Sequence, residues 1–248
     1  GNANEVGALD LLALNAKTTG EISHSTNIDT VLGKASDVAS VFADANAETN
    51  TQIKTAANIK VIISDVVVAE DLTKTPPVQA DPGHVQAADL VAIQKGTTGL
   101  ITLTDVGAIS GQFSDLEVVM KTEKASFKNE EADKVIITDA VTVANLETIS
   151  KATTGVVTAT ISDTEMTKLD NLTETTADNV LTINLKDASV DAGKLKTLDT
   201  KTAGVVTVES TTVTGDIADI VTVYTAADTA ITGLGNEAVN VADEMSIT

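Results

Sequence analysis

The apolar positions of this chain follow two alternating rhythms. In VANLETISKATTGVVTAT, Val143, Leu146 and Ile149 stand three apart, as on one stripe of a short helix, and after Gly155 the residues become β-branched. The spacing predicts a helix feeding a strand. The same phrase, Leu-x-x-Leu/Ile-x-x-x-Thr-Thr/Ala-Gly, occurs four times: LLALNAKTTGEIS (residues 11–23), LVAIQKGTTGLIT (90–102), LETISKATTGVVT (146–158) and LKTLDTKTAGVVT (195–207). A second phrase precedes three of them: VIISDVVVAEDL from Val61, VIITDAVTVANL from Val135 and LTINLKDASVDAGKL from Leu181. A third follows the glycine: KASDVASVFADA from Lys34, QFSDLEVVMKTE from Gln112 and DIADIVTVYTAA from Asp216. In this third phrase Phe113, Leu116, Val119 and Met120, or Ile217, Ile220 and Val223, form a further helical stripe.

The clearest stretch reads strand at 156–161, helix at 164–172, strand at 180–185, helix at 191–198 and strand at 205–208. One strand and one short helix thus recur about every 24 residues, within the range of stacked repeats. Neither element can bury its apolar face alone, so successive units must stack. We therefore expect residues 1–248 to form a single elongated, right-handed parallel β/α solenoid, with an all-β parallel solenoid as the alternative. Gly20, Gly99, Gly155 and Gly204 stand where a helix ends in a left-handed residue. Asp65, Asp139, Asp163 and Asp187, at strand ends, are expected to cap the helices that follow them. Two inserts interrupt the order. Residues 73–88, with Pro76, Pro77, Pro82 and Gly83, read as a surface loop, and residues 125–134 as a charged one.

Composition narrows the function. Thirty-six acidic residues face sixteen basic ones, every basic residue is Lys, and the formal charge is -20. Nucleic-acid recognition needs a basic footprint with Arg forks or stacking aromatics, and only 2% of these residues are aromatic. With no Cys there are no disulfides and no thiolate metal sites. No apolar run approaches the roughly 20 residues that cross a bilayer. The first residues, GNANEVGALD, lack the pattern of a signal peptide, and both ends read as cuts, so we expect a processed chain or a piece of a longer one.

Candidate chemistry is sparse. Calcium loops gather three or more carboxylates within a dozen residues around a glycine, and no such loop is legible; Asp65, Asp105, Asp139, Asp163 and Asp187 instead recur at strand ends, where capping or turn formation accounts for them. Loose association of Ca²⁺ with the overall negative field is the one metal interaction expected, with no cofactor and no dedicated metal ligand. His24 and His84 fall in different, non-recurring places, and no nucleophile elbow, phosphate loop or HExxH motif accompanies them. Glu130-Glu131 lies in a polar stretch that reads as a solvated charge run. Thr18, Thr97, Thr153 and Thr202 are equivalent, but their unequal spacing argues against a flat binding ladder, so they read as turn residues.

The phrases LETISKATTGVVTATISD, VIITDAVTVANLETI and VTGDIADIVTVYTAA resemble the degenerate repeats of very large, acidic, Arg-poor cell-surface and extracellular proteins of marine cyanobacteria and other Gram-negative bacteria, including those associated with swimming. The resemblance implies an exported structural or adhesive role without catalysis and supplies no functional residues. The expectation is therefore a non-enzymatic extracellular protein that contributes to a surface layer, filament or adhesive array by end-to-end stacking. Its partners would be other copies of itself, adjacent repeats or surface polysaccharide, with no nucleic acid and no membrane insertion. The competing classes are a carbohydrate- or Ca²⁺-binding adhesin module, marked by a concave patch with Tyr224, Asn and Asp; a phage fibre segment; and a hydrolase with two carboxyl groups in a groove.

Overall fold

The computed structural model describes residues 4–23, 28–46, 53–64, 83–104, 106–128, 134–173, 178–227 and 229–242. Pro76, Pro77 and Pro82 of the expected 73–88 loop and Glu130-Glu131 of the charged loop lie outside them. The chain divides into two compact units, Gly1–Ile136 with Ala152–Gly155, and Ile137–Lys151 with Val156–Thr248.

The first unit runs β1 (Glu5–Gly7), α1 (Ala8–Asn15), β2 (Ile22–Ser23), β3 (Thr30–Gly33), α2 (Ala35–Asn46), β4 (Ile53–Lys54), β5 (Lys60–Ser64), β6 (His84–Gln86), α3 (Ala87–Gly96), β7 (Ile101–Thr104), β8 (Ala108–Gly111), α4 (Phe113–Glu117) and β9 (Phe127–Lys128). A π-helical turn (Val118–Thr122) and a 3-10 turn (Lys124–Ser126) follow α4. Five of these strands form an open parallel sheet in the order β1-β3-β5-β7-β9, while β2 pairs with β4 and β6 with β8, also in parallel. The sheet is held by columns of apolar residues in register: Val6, Val31, Val61, Ile101 and Phe127 stand side by side on successive strands. Val31, Val61 and Ile101 are fully buried.

Next comes β10 (Lys134–Val141), whose residues from Ile137 onward belong to the second unit. The rest of that unit runs α5 (Val143–Ser150), β11 (Val157–Ile161), α6 (Met166–Leu169), β12 (Val180–Leu185), β13 (Ser189–Asp191), α7 (Ala192–Asp199), β14 (Val206–Val208), β15 (Thr212–Gly215), α8 (Ile217–Thr225), β16 (Ile231–Thr232) and β17 (Ala238–Val241). Here β11, β12, β14 and β16 pair successively in parallel. A separate parallel sheet has the order β13-β15-β17. Leu146 and Ile149 of α5, Leu195 and Leu198 of α7, and Ile220 and Val223 of α8 supply the buried helical stripes, as their spacing predicts.

The expected right-handed parallel β/α solenoid is not what these strands form, and neither is its all-β alternative. The structure is a mixed α/β fold of several separate parallel sheets that do not close. The repeated phrase explains the difference. The strand after Gly20 is β2, in a two-stranded sheet; the strand after Gly99 is β7, in the five-stranded sheet; the strand after Gly204 is β14, in the second unit. One local phrase thus feeds different sheets. In the second unit an extra short strand also stands before each of the last two helices, β13 before α7 and β15 before α8. Ser189-Val190-Asp191 offers one apolar residue and so no readable alternation. The expected inserts shrink as well: His84–Gln86 is a strand and Ala87 opens α3, while Lys124–Ser126 is helical and Lys134 begins β10.

Two of the recurring glycines, Gly99 and Gly204, are needed for closeness, and none of the four for handedness. None of Gly20, Gly99, Gly155 and Gly204 has a positive φ. A Cβ on Gly204 would overlap the Leu181 carbonyl oxygen, and one on Gly99 the Ile59 carbonyl oxygen, each on the preceding strand segment. We expect Gly204→Ala to cost about 1–3 kcal/mol, the range for forcing extra volume into a packed site. Gly193, inside α7, would meet only the ends of the Asp219 and Asp191 side chains, at 3.0 and 3.2 Å. Gly193→Ala should therefore be neutral or stabilising by up to about 1 kcal/mol. Denaturant midpoints followed through Tyr224, in the same unit, check both; equal losses would show that the repeated glycine has no special place.

Candidate functional site

The polar residues that recur in the sequence lie at the junctions between neighbouring rungs, a rung being one strand-and-helix passage of the chain. Thr202 is the most connected. Its buried Oγ1 donates to the Asn179 carbonyl (2.9 Å) and accepts from Leu181 N (2.8 Å) and from Gly204 N (2.8 Å). Thr97 repeats the arrangement in the first unit, donating to the Ile59 carbonyl (2.6 Å) and accepting from Gly99 N (2.9 Å). Thr18 and Thr153 accept from Gly20 N and Gly155 N in the same way, at 3.0 and 2.9 Å. These residues close turns, as expected. The longer reach of Thr97 and Thr202, onto the preceding strand segment, is new: it needs a glycine two residues on so that the backbones can approach.

The aspartates cap, but not the helices expected. Asp163 lies 20 residues after Val143 and its Oδ2 accepts from Val143 N (2.8 Å), at the start of the preceding helix α5. Asp187 likewise reaches back 21 residues to Met166 N (2.6 Å), the first residue of α6. Each carboxylate therefore ties its own rung to the one before, meeting a helix N-terminus whose free N–H groups and dipole favour negative charge. The next helix takes its cap from elsewhere: α7 from Asp191, which accepts from Lys194 N (3.0 Å). Asp139 lies exposed on β10, while Asp65 and Asp105 lie outside the described residues.

Two further polar residues carry no recognisable motif. Asn179, almost fully buried, accepts from Val157 N through Oδ1 (2.8 Å) and through its carbonyl from Ala203 N (2.8 Å), so it joins the entries of β11, β12 and β14. Among the described residues Glu147 is the one buried carboxylate. Its Oε1 accepts from Thr173 N (2.7 Å) and its Oε2 from Thr173 Oγ1 (3.0 Å), with Lys151 Nζ at 4.0 Å. Glu147 sits directly after Leu146 of the helical stripe, a position where sequence alone indicates solvent.

Glu147, Asp163, Lys151, Lys168, Asn171 and Thr173 line an open groove of about 520 Å³ in the second unit. Its two carboxylates accept backbone N–H bonds at Val143 and Thr173, and the Asn171 amide donates to the carbonyls of Thr167 and Lys168 (3.2 Å each). A second groove, of about 600 Å³ in the first unit, is bordered by the Thr97 turn and by Gln94, which donates to Glu123 (3.3 Å).

His24 lies outside the described residues; His84 is exposed on β6. Among the described residues no group of three or more His, Asp or Glu is placed to hold a metal ion. None of their helices is long and apolar enough to cross a membrane. The hydroxyl of the half-buried Tyr224 donates to Glu237 Oε1 (2.5 Å), and Glu237 also accepts from Gly235 N and Asn236 N (2.9 Å each). Burial, together with the neighbouring carboxylate, pushes the Tyr224 hydroxyl up to about 12. Burial alone would raise the Glu237 carboxyl as well, but the hydrogen bonds from Tyr224, Gly235 and Asn236 outweigh it and hold it below its usual value.

No protein-family model, no curated protein and no solved structure matches the chain.

Two outcomes follow. Asp163→Ala and Asp187→Ala should each lower stability by about 1 kcal/mol, as lost helix caps do, read from unfolding midpoints; no change would mean that water serves the helix ends equally well. Tyr224, the only tyrosine in the chain, should ionise near pH 12 in an ultraviolet titration, and Glu237→Gln should move it back toward 10. Because the folded value of Tyr224 lies above the unfolded one, the Tyr224–Glu237 contact contributes fully from neutral pH to about pH 10 and is lost as pH rises to about 12; on the acid side it is lost as Glu237 becomes protonated.

Proposed function

We propose that this protein is a non-enzymatic structural component of an extracellular or cell-surface array. The observation that supports the reading is the use made of its polar side chains. Thr97, Thr202, Asp163, Asp187, Asn179 and Glu147, which include the residues most open to a chemical role, bond the backbone of neighbouring rungs. Exposed lysines add to this: Lys194 pairs with Asp170 (2.6 Å) and Lys196 with Asp219 (2.8 Å), across 24 and 23 residues of chain. Exposed pairs of this kind stabilise little by themselves, but both of these act between adjacent rungs. A chain whose polar groups hold its own rungs together is suited to a structural use, and the resemblance of its repeated phrases to acidic surface proteins agrees with that use. A charge of -20 keeps such a surface soluble and limits nonspecific lateral adhesion.

Antibodies raised against the purified chain should label intact, unpermeabilised source cells, and brief protease treatment of those cells should remove the signal. Labelling that needs permeabilisation would overturn this reading.

A further inference from the structure

We infer that Asp199 is a proton-binding site that couples the seating of the Thr202 turn to pH: the turn is held firmly when the Asp199 carboxyl is protonated and loosened when it ionises. Asp199 takes one of four equivalent places in the repeated phrase, directly after its second apolar residue, and the other three hold Asn15, Gln94 and Ser150. Asp199 is thus the one ionisable group of the four. Asn15, Ser150 and Asp199 are each the last residue of a helix, α1, α5 and α7 respectively. Each sets a side-chain oxygen, Asn15 Oδ1, Ser150 Oγ and Asp199 Oδ1, where solvent does not touch it and no hydrogen bond reaches it. Gln94 differs, since its amide donates to Glu123 (3.3 Å). A neutral amide or hydroxyl occupies such a place at modest cost, whereas an ionised carboxylate does so at a far greater one.

The surroundings of Asp199 oppose its charge. The end of α7 presents carbonyl oxygens and the negative pole of the helix, which disfavour an anion and favour a donor. A protonated carboxyl is such a donor. Burial agrees with this, raising the Asp199 carboxyl above its usual value. The charged and titratable groups on the elements around α7 make their contacts elsewhere. Lys201, two residues on, donates to the Leu172 carbonyl (2.6 Å), Lys194 pairs with Asp170 after α6, and Lys196 pairs with Asp219 of α8. Asp191 of β13 caps the opposite end of α7, Tyr224 of α8 donates to Glu237, and Lys168 of α6 lines the groove beside Glu147. β15 carries no charged residue. The link to the turn is direct: the Asp199 carbonyl accepts from Thr202 N (3.3 Å), and Thr202 Oγ1 accepts from Leu181 N and Gly204 N (2.8 Å each). An ionised Asp199 side chain drawn toward water therefore pulls on the first bond of the turn.

Because the folded value of Asp199 lies above the ordinary 3.8, its contribution to stability is complete below that pH and is lost as pH rises through the folded value. The test compares the full chain with its Asp199→Asn variant, which places at this position the residue that Asn15 provides in the first copy of the phrase. At neutral pH the variant should unfold at a higher denaturant concentration. Amide hydrogen exchange at Leu181 and Gly204, both bonded to Thr202 Oγ1, should slow severalfold in it. Both differences should shrink as pH falls toward 3.8, and the remaining carboxylates, common to the two chains, cancel in the comparison. A second reading needs no variant: the Asp199 carboxyl carbon, followed by nuclear magnetic resonance in the unaltered chain, should titrate with a midpoint above 3.8. A midpoint at or below that value would overturn the inference, as would a variant no more stable at neutral pH or a stabilisation that does not change with pH. Unchanged exchange at Leu181 and Gly204 would overturn the coupling to the turn.

Discussion

The close approach of a turn to the carbonyl of the strand segment before it governs much of the rest. At Thr202 one hydroxyl serves a donor and acceptor set that no apolar residue can satisfy, and Gly204 leaves the space in which the Leu181 carbonyl sits. A buried backbone group without a partner costs about 1–3 kcal/mol. The turn therefore fixes threonine for its hydrogen bonds and glycine for its absent Cβ. Once the turn is seated, the strand that leaves it, β14 here and β7 after Thr97, is delivered in parallel register beside the strand before.

The remaining polar contacts extend the same principle. Parallel strands in series leave each helix N-terminus facing the next rung, and in the second unit Asp163 and Asp187 occupy that place. Asn179 does for the entry of β11 what Thr202 does for β12. Apolar columns supply most of the stabilising burial, whereas these directional bonds decide which rung lies beside which.

Much of this was legible in the sequence. The Leu-x-x-Leu spacing placed α5 and α7, the β-branched runs placed β11, β12 and β14, and the third phrase placed α2 and α8, because each element carries its own periodicity. What each element joins was not legible. A phrase that specifies a helix, a turn and a strand does not specify the sheet, and strands as short as β13 and β15, each with a single valine among small or polar residues, have no pattern of their own. The polar sites were half legible. Asp163 and Asp187 could be recognised as caps, but their target is the earlier helix, a relation that exists only after the rungs are placed side by side. Glu147 and Asn179 gave no signal, since each is polar in a sequence rich in polar residues and is buried by its neighbours alone.

The seating of turn on strand constrains two points of the chain and leaves the length between them free. Thr202 donates to the Asn179 carbonyl 23 residues back, whereas Thr97 donates to the Ile59 carbonyl 38 residues back. Closing a flexible loop of twice the length costs only about 0.6 kcal/mol. Insertions between rungs are therefore cheap, while a single methyl group at Gly99 or Gly204 is not. The same property makes the intervals natural places to graft foreign peptides: a guest sequence placed between a strand and the turn that seats on it would be displayed without disturbing either.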